Sequence, residues 1–408
     1  MISWLLRIDI IDGSSAENFI TYSKFVLTIS IRRLVGVVPY TSVKGAMISR
    51  AEKPVATKSS IVGSEKILEK DCQDKMLSQY RGCLLGALVG DCLGRVFEGA
   101  RPPVQVSEIE AEIAARKGRK FPLPYTDDTA MCHALAASLI RSGSFDARDM
   151  AKSFADKYDA EPTKKHMYAA VKIIFSVWQD TNFTGDIFAP ARKQFNGQGS
   201  FGNGGGMRIA SVPLFCGNQL EKTVEIARLS TQLTHNHPLG YNGAILQALA
   251  VHLALHSDTP DAESLLDALI DFARDRLEKD EERKPYTERL TIAKALLKDP
   301  HAAQNEVIKK MEHSVNMEAL DAIPMAIFCA ARALQPIPGI NTDNPFARTL
   351  LYAISMGGDT DTIATMAGAI AGAWLGVHSI QWESFCEAPE ETLKLADRLH
   401  ECAHNKTG

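Results

Sequence analysis

Apolar residues recur at helical spacing along most of the chain after its first 75 residues. Met131, Leu135 and Leu139 step by four, and the apolar run over 244–255 continues without a break, as in a buried helix. Alternation of apolar and polar residues, which would predict half-buried strands, is hard to find. The pattern therefore predicts an all-α fold, with one compact helical domain over residues 75–408.

Further helices are predicted wherever the same spacing recurs between turn signals. They span residues 82–93, 146–158, 164–178, 221–232, 261–278, 286–297, 304–313, 321–334, 346–356 and 389–403. Proline, glycine and asparagine at 335–339 and 341–345 separate two of these helices. A chain of 408 residues with 45% apolar composition can bury a large core, which is typical of a globular enzyme.

Charge is distributed unevenly along the chain. The net charge is −4, from 45 Lys and Arg against 49 Asp and Glu. Residues 1–70 carry 10 basic and 6 acidic residues, which leaves 35 against 43, a net −8, for residues 71–408. A net acidic body argues against broad electrostatic binding to nucleic acid.

The cysteines and the apolar runs indicate neither a metal-thiolate site nor a membrane span. The eight cysteines are scattered without a CxxC pair, which favours reduced thiols in a cytosol-like compartment. The longest apolar run, over 363–375, is too short to span a bilayer and follows the acidic stretch 359–361. A buried helix is predicted there instead.

The first 74 residues lack the pattern of a packed domain and are predicted to be an N-terminal extension. Residues 18–51 contain no acid and carry five basic residues, which resembles a mitochondrial transit segment, although three acids among the first 17 residues are atypical of one. Met47 could serve as an alternative translation start. Residues 1–46 are therefore either a targeting segment or a disordered or misassigned extension.

Acidic residues are concentrated at two points where an apolar helical pattern begins. These are Thr-Asp-Asp-Thr at 126–129 and Gly-Asp-Thr-Asp-Thr at 358–362. One helix cap needs only one such residue, so four carboxylates exceed what capping requires. If the two starts meet, carboxylates about 4 Å apart would repel by roughly 4 kcal/mol per pair at an effective dielectric of about 20. Bound cations would offset this repulsion, and a set of oxygen ligands favours Mg²⁺ or Mn²⁺ over Zn²⁺. The alternative interpretation is that the two acidic starts are separate helix caps.

A glycine-rich stretch over 195–206 holds six glycines in twelve residues and leads into an apolar segment. Such a loop exposes backbone N–H groups and lets phosphate oxygens approach closely. It matches neither a P-loop nor a Rossmann fingerprint, and a plain flexible loop is the alternative. Phe195 and Phe201 flank the loop, either as stacking surfaces for a base or ribose or as core residues.

Two further residues are candidates by position. His235 precedes a long apolar helix, where it could hydrogen-bond a phosphate or a ribose, although a lone histidine at a helix start is more often structural. Glu98 follows the end of the first predicted core helix and is a candidate general acid/base or metal ligand. Taken alone, Glu98 would look like any surface glutamate.

Together these segments resemble the ADP-ribosylhydrolase family related to dinitrogenase-reductase-activating glycohydrolase, and especially its ADP-ribosylserine hydrolase branch. The resemblance covers roughly residues 80–400. The TDDT and GGDTDT motifs are shared across the wider family, whereas the loop from Phe195 and the run LGYNGAILQALAVHLAL from Leu239 are more particular to the serine branch. The segments that carry the resemblance are 82–91, 125–131, 195–208, 232–235, 239–255 and 357–373.

The resemblance implies a compact orthogonal helical domain with a binuclear Mg²⁺ centre at helix N-termini, in which Mn²⁺ can substitute. The implied metal contacts are Glu98, Thr126, Asp127, Asp128, Asp359, Asp361 and Thr362, of which Glu98 and Asp359 also act in catalysis. The implied substrate contacts are Asp127, Gln198, Gly199, Ser200, Gly202, Asn203, Gly204 and His235, with Phe195 and Phe201 near the adenosine. The sequence departs from the family pattern at two places. Phe201 stands where a tyrosine is usual, and residues 236–238 replace a small, polar stretch. Both differences affect the expected contacts to adenosine and the affinity for it.

The reaction implied by the resemblance is hydrolysis of the bond between ribose C1″ and a serine oxygen, or of the ribose–ribose bond in poly(ADP-ribose). O-acetyl-ADP-ribose is a further expected substrate. The expected partners are ADP-ribosylated proteins and poly(ADP-ribose) in the DNA damage response, with no direct contact to nucleic acid or membrane, and the expected state is a monomer. The expected locations are nucleus and cytoplasm, with a fraction in the mitochondrial matrix. Two alternatives stay open: the same chemistry on arginine-linked ADP-ribose, and a catalytically silent binding or structural relative.

Overall fold

The secondary structure of the described residues is helical, and pairing of extended backbone among them is limited to isolated bridges. The structure, a computed structural model, describes the backbone of residues 58–164, 168 and 171–404, and the side chains from residue 74 onward within those ranges. The α-helices are α1 (Lys58–Gly94), α2 (Val106–Arg116), α3 (Asp127–Ser142), α4 (Ala147–Ala160), α5 (Val171–Asp180), α6 (Ala189–Gly197), α7 (Ser211–Cys216), α8 (Leu220–Gln232), α9 (Pro238–Leu255), α10 (Ala262–Phe272), α11 (Pro285–Leu297), α12 (Gln304–Lys310), α13 (Ala319–Arg332), α14 (Pro345–Ser355), α15 (Thr360–Leu375) and α16 (Pro389–His404).

The all-α prediction is confirmed, and the differences lie at helix ends and in short helices. The helix predicted over 164–178 begins at Val171, and the one predicted over 261–278 changes after Phe272 into a π-helical turn, Ala273–Leu277. Helices α2, α6 and α7 were not predicted, because α2 is rich in charged residues and the other two are short. Helix α1 crosses the predicted boundary at residue 74, while residues 1–57 lie outside the described residues, so the N-terminal extension stays a prediction.

Helix α15 lies at the centre of the core. Every residue from Thr360 to Trp374 is buried, and α9, α13 and α14 pack around the helix. The apolar run over 363–375 is therefore a buried helix, as predicted. In the part of the chain that the structure describes, none of the helices combines the length and the apolar character needed to cross a membrane.

Glycines at every fourth position of α1 bring this helix into backbone contact with α15. A Cβ atom on Gly86 would lie 2.3 Å from the oxygen of Gly368, and one on Gly90 would lie 2.2 Å from the oxygen of Ala364. No residue with a side chain fits at these two positions without moving the facing backbone. The contact places the last turns of α1, which contain Asp91, against the first turn of α15.

Candidate metal centre and substrate cleft

The two acidic helix starts lie side by side. The hydroxyl of Thr362, in the first turn of α15, donates to Oδ1 of Asp128, in the first turn of α3, at 3.1 Å across 234 residues of sequence. Thr126 caps α3 by accepting the backbone N–H of Asp128 at 3.3 Å, whereas the side chain of Asp359 makes no cap hydrogen bond to α15. Capping therefore accounts for Thr126 but not for the carboxylates around it.

Among the residues that the structure describes, two groups of three carboxylates are close enough to hold a metal ion. The first group is Asp91, Asp128 and Asp361, and the second is Glu98, Asp359 and Asp361; within each group the oxygen atoms lie within 4.8 Å of one another. Asp361 belongs to both groups. Carboxylate oxygens of this kind suit a hard divalent cation.

Burial raises the pKa of the aspartates at this site, which are Asp91, Asp127, Asp128, Asp359 and Asp361, and repulsion between their charges adds to the effect at several of them. The pKa of Asp127 is raised to about 8, by burial first and then by the charge of Asp91. The pKa values of Asp128 and Asp361 are raised well above the usual range, by burial first and then by the charge of Asp91 on Asp128 and the charge of Asp128 on Asp361. Because a bound divalent cation would offset both the lost hydration and the repulsion, the cluster fits a metal site physically.

Asp91 is a residue of this cluster that the sequence analysis missed. Its side chain is completely buried, and it accepts the backbone N–H of Thr126 at 3.0 Å and both the N–H and the hydroxyl of Thr129 at 3.1 and 2.6 Å. Asp91 therefore ties the end of α1 to the first turn of α3. The signal in the sequence was an aspartate inside an otherwise apolar, glycine-rich helix.

A cleft with a volume of about 270 Å³ opens beside the carboxylates. Glu98 lies at its edge, exposed, directly after the 3₁₀ turn Arg95–Phe97 that ends α1. The cleft also contains five residues that were not predicted, which are Tyr168, Val171, Gln194, Met207 and Met317. The predicted site residues that line it are Glu98, Asp127, Asp128, Phe195, Ser200, Gly202, Asn203, Gly204, His235, Asp359, Asp361 and Thr362.

Four predicted site residues are not among the residues that line this cleft. Thr126 is buried beside it, with its hydroxyl 3.1 Å from Oδ2 of Asp128. Gln198 is exposed, and Gly199 packs so closely on the chain at Asn236 that a Cβ atom would lie 2.7 Å from the carbonyl carbon. Phe201, the fourth, is partly exposed, and its ring centroid lies 6.1 Å from that of Phe195, which lines the cleft. The metal and substrate roles of all the predicted residues stay predictions.

The glycine-rich loop is anchored to both sides of the cleft. The Asn203 side chain donates from Nδ2 to Oδ2 of Asp359 at 2.6 Å. Gly204 is buried, and a Cβ atom there would lie 2.6 Å from Cε1 of His235. Since both contacts fix buried groups, this part of the loop is packed and not a plain flexible connection.

A buried hydrogen-bond chain fixes the ring of His235. Arg208, which is completely buried, donates to the hydroxyl of Thr234 at 2.7 Å, and this hydroxyl lies 2.8 Å from Nδ1 of His235. This hydroxyl accepts from arginine and keeps its own proton, which it can donate to Nδ1; in that tautomer Nε2 carries the ring proton. Burial, with the charge of Arg208, lowers the pKa of His235 to about 3, so the ring is a neutral donor beside Gly204. Arg208 and Thr234 were not predicted.

Exposed aromatic rings stand at the mouth of the cleft. Phe195 is 51% exposed and Phe201 37% exposed, and their ring centroids are 6.1 Å apart. The ring of His237 meets Phe201 edge-on at 5.7 Å. Phe195 also borders a larger, mostly apolar cavity of about 770 Å³. Exposed rings in this arrangement suit the stacking of a planar base.

Comparison with known proteins gives the class to which this fold and site belong. The family model described as ADP-ribosylglycohydrolase matches residues 73–407. The chain belongs to the ADP-ribosylglycohydrolase family, as its motifs predicted.

Two relatives and one solved structure illustrate the similarity. ADP-ribosylhydrolase ARH3 from Bos taurus is 43% identical over 348 residues, which cover 80% of this chain and 93% of the relative. ADP-ribosylhydrolase ARH3 from Homo sapiens is 42% identical over 348 residues, which cover 80% of this chain and 94% of the relative. A solved ADP-ribosylglycohydrolase-related protein complex shares the fold with a TM-score of 0.58 and 21% identity, over 81% of this chain and 99% of that chain.

Proposed function

We propose that this protein hydrolyses the glycosidic bond between ADP-ribose and serine hydroxyls in proteins, and the ribose–ribose bond of poly(ADP-ribose), with O-acetyl-ADP-ribose as a further substrate. The observation that carries the proposal is the pair of carboxylate groups sharing Asp361 beside a glycine-lined cleft. The two similar ADP-ribosylhydrolase ARH3 proteins support it. The loop from Phe195 and the sequence of α9 favour serine over arginine as the linkage.

The proposed cofactor is a pair of Mg²⁺ ions, for which Mn²⁺ can substitute. Asp91, Asp128 and Asp361 would hold one ion, and Glu98, Asp359 and Asp361 the other. When bound, the ions would hold the ribose hydroxyls and lower the pKa of a bound water. The further oxygen ligands proposed from the motifs are Thr126, Asp127 and Thr362.

The protein side chains then have separate tasks in the reaction. A water oxygen forms a bond to C1″ of the ribose while the bond from C1″ to the serine oxygen breaks, and the products are ADP-ribose and the serine hydroxyl. Glu98, exposed at the cleft edge, takes the proton of the water and returns one to the leaving serine oxygen. Asp359, held by Asn203 at 2.6 Å, orients the water.

The glycine-rich loop and His235 are proposed to bind the ADP-ribose. The ring of His235 offers a neutral N–H donor that stays uncharged at neutral pH, because burial lowers its pKa to about 3. The backbone N–H groups of the loop suit the diphosphate, and Phe195 and Phe201 would stack on the adenosine.

The proposed partners are ADP-ribosylated proteins and poly(ADP-ribose) in the DNA damage response. The net charge of −8 over residues 71–408 supports the proposal that this region does not bind nucleic acid directly. We propose a monomer that acts in the nucleus and cytoplasm, with a fraction in the mitochondrial matrix. The basic composition of residues 18–51 supports the mitochondrial part of this proposal.

The linkage is tested with two matched peptides, one ADP-ribosylated on serine and the other on arginine. Free ADP-ribose is measured by chromatography in the presence of Mg²⁺. We expect release from the serine peptide to be at least about a hundredfold faster, a difference of about 2.7 kcal/mol in transition-state stabilisation. Faster release from the arginine peptide would assign the other linkage, and binding of ADP-ribose without release from either peptide would assign a silent binding protein.

A further inference from the structure

Residues 313–319, here called the strap, connect α12 to α13 and contact the glycine-rich loop. The backbone N–H of Asn203 donates to the oxygen of Met317 at 3.0 Å, and the N–H of Ala319 donates to the oxygen of Phe201 at 3.0 Å. Gly202 and Glu318 thereby form an antiparallel bridge. One end of the strap is thus fixed to the part of the cleft proposed to bind ADP-ribose.

The other end of the strap contacts the chain just before Asp359. Nε2 of His313 lies 3.0 Å from the oxygen of Gly357. Gly358 has φ of +74°, and a Cβ atom on it would lie 2.5 Å from the oxygen of Ser314. The backbone that leads into Asp359 therefore rests directly on the strap, and only glycine fits there.

A buried histidine–carboxylate pair, His313 and Asp321, holds the strap in place. Nδ1 of His313 lies 2.5 Å from Oδ1 of Asp321, while the N–H and hydroxyl of Ser314 both donate to Oδ2 of Asp321 at 3.0 Å. Because a carbonyl oxygen can only accept, Nε2 of His313 carries a proton toward Gly357, and the carboxylate of Asp321 stabilises a second proton at Nδ1. Burial alone lowers the pKa of His313, but the hydrogen bond and charge of Asp321 raise it above its usual value.

These contacts form a closed ring of hydrogen-bonded segments at the cleft. Asp359 is bonded to Asn203, Asn203 to the strap at Met317, and the strap through His313 to the chain before Asp359. The ring joins the proposed metal centre to the glycine-rich loop. We propose that His313, held by Asp321, is a positioning residue that fixes the backbone leading into Asp359 and thereby the geometry of the metal centre. This inference rests on the proposed metal-dependent function.

The test compares His313→Ala and His313→Gln with His301→Ala, which changes an exposed histidine before α12. Binding of Mn²⁺ alone to the full chain is measured by calorimetry, and release of ADP-ribose is measured over a range of Mn²⁺ concentrations. Since loss of a residue that orients a metal ligand weakens metal binding by roughly 10–100-fold, we expect a loss in that range for His313→Ala. His313→Gln, whose amide can still donate to the oxygen of Gly357, should lose less, and His301→Ala nothing.

A structural defect and a positioning defect give different results. If His313 is a positioning residue, saturating Mn²⁺ restores most of the ADP-ribose release in His313→Ala. A folded His313→Ala protein that binds Mn²⁺ as tightly as the intact chain would overturn the proposal. If the alanine variant does not melt cooperatively, the same comparison is made with His313→Gln. Mn²⁺ binding as tight as that of the intact chain then overturns the proposal, and weaker binding that saturating Mn²⁺ overcomes supports it. Mn²⁺ binding without ADP-ribose release by the intact chain would refute the proposed function alone, and absence of Mn²⁺ binding would refute both.

Discussion

Replacement of Asp91 by asparagine should destabilise the protein far more than its small change in shape suggests. Both carboxylate oxygens face donors: the N–H of Thr126 lies 3.0 Å from each, and the N–H and hydroxyl of Thr129 bond to Oδ2. Asparagine can keep the bonds to Oδ2 through its one acceptor oxygen, but its NH₂ group then takes the place of Oδ1 and faces the N–H of Thr126, so that two buried donors point at each other. An unpaired buried donor costs about 1–3 kcal/mol, and loss of the charge weakens the remaining bonds by about 1 kcal/mol. We expect the free energy of unfolding to fall by about 2–4 kcal/mol in total.

The assay is urea unfolding followed by circular dichroism, in EDTA and in Mg²⁺. Asp146→Asn is the matched control, because Asp146 also accepts two backbone N–H groups, at 2.9 Å each, but is exposed at the start of α4. The control should lose no more than about 1 kcal/mol. Mg²⁺ should widen the difference, since Asp91 belongs to a carboxylate group that can hold an ion. Equal losses for the two variants in EDTA would refute the anchoring role of Asp91.

Three further changes test the site. The pKa of Asp127 is raised to about 8 from 3.8 in the metal-free protein, so this carboxyl contributes stability that is present below about pH 4 and lost as the pH rises through 8. Because Mg²⁺ binds the deprotonated carboxylate, calorimetry should show the affinity for Mg²⁺ rising over the same pH range. An affinity that does not change with pH would contradict this prediction. Glu98→Gln should lower kcat for ADP-ribose release by about 10²–10⁴-fold with a smaller change in KM, since the amide cannot transfer the proton; full turnover would exclude that role. Gly204→Ala should raise the Kd for ADP-ribose by at least about tenfold, because the new Cβ atom lies 2.6 Å from Cε1 of His235 and displaces the ring, and calorimetry with unchanged affinity would show that the ring does not contact the ligand.

Local sequence signals were enough to predict the acidic helix starts. Thr126 has the residue type and position of a helix cap, and the stretch after Asp359 is apolar enough for a buried helix, so each start could be recognised within a few residues. The family resemblance then predicted that the two starts would meet. In the structure Thr362 bonds directly to Asp128.

Residues whose importance depends on distant contacts could not be predicted in this way. The role of Asp91 follows from the contact between α1 and α15, whose sequences lie more than 260 residues apart, as the bond from Thr360 to Gly94 across 266 residues illustrates. The glycines at every fourth position of α1 indicated a close helix contact, but their spacing did not identify the helix that α1 contacts. His313 and Asp321 lie eight residues apart across a loop and a helix start, a spacing that matches no local motif.

Helix α6 shows a different limit of sequence reasoning. Its backbone leaves helical geometry at the end, where Phe195 and Asn196 both have positive φ values, of 50° and 58°. Neither residue is a glycine, and such a conformation is uncommon for phenylalanine, so composition alone predicted a loop at that point. The irregular end belongs to the predicted substrate-binding loop.

The most direct test of metal-dependent glycohydrolysis is release of free ADP-ribose from a serine-ADP-ribosylated peptide, measured with Mg²⁺ and with EDTA. The intact chain is compared with the Asp127→Ala/Asp128→Ala variant, after circular dichroism has verified that the variant is folded. We predict release in Mg²⁺, loss of release in EDTA, and loss of release in the variant under both conditions. Release that persists in EDTA or in the folded variant would contradict an active centre at the acidic helix starts.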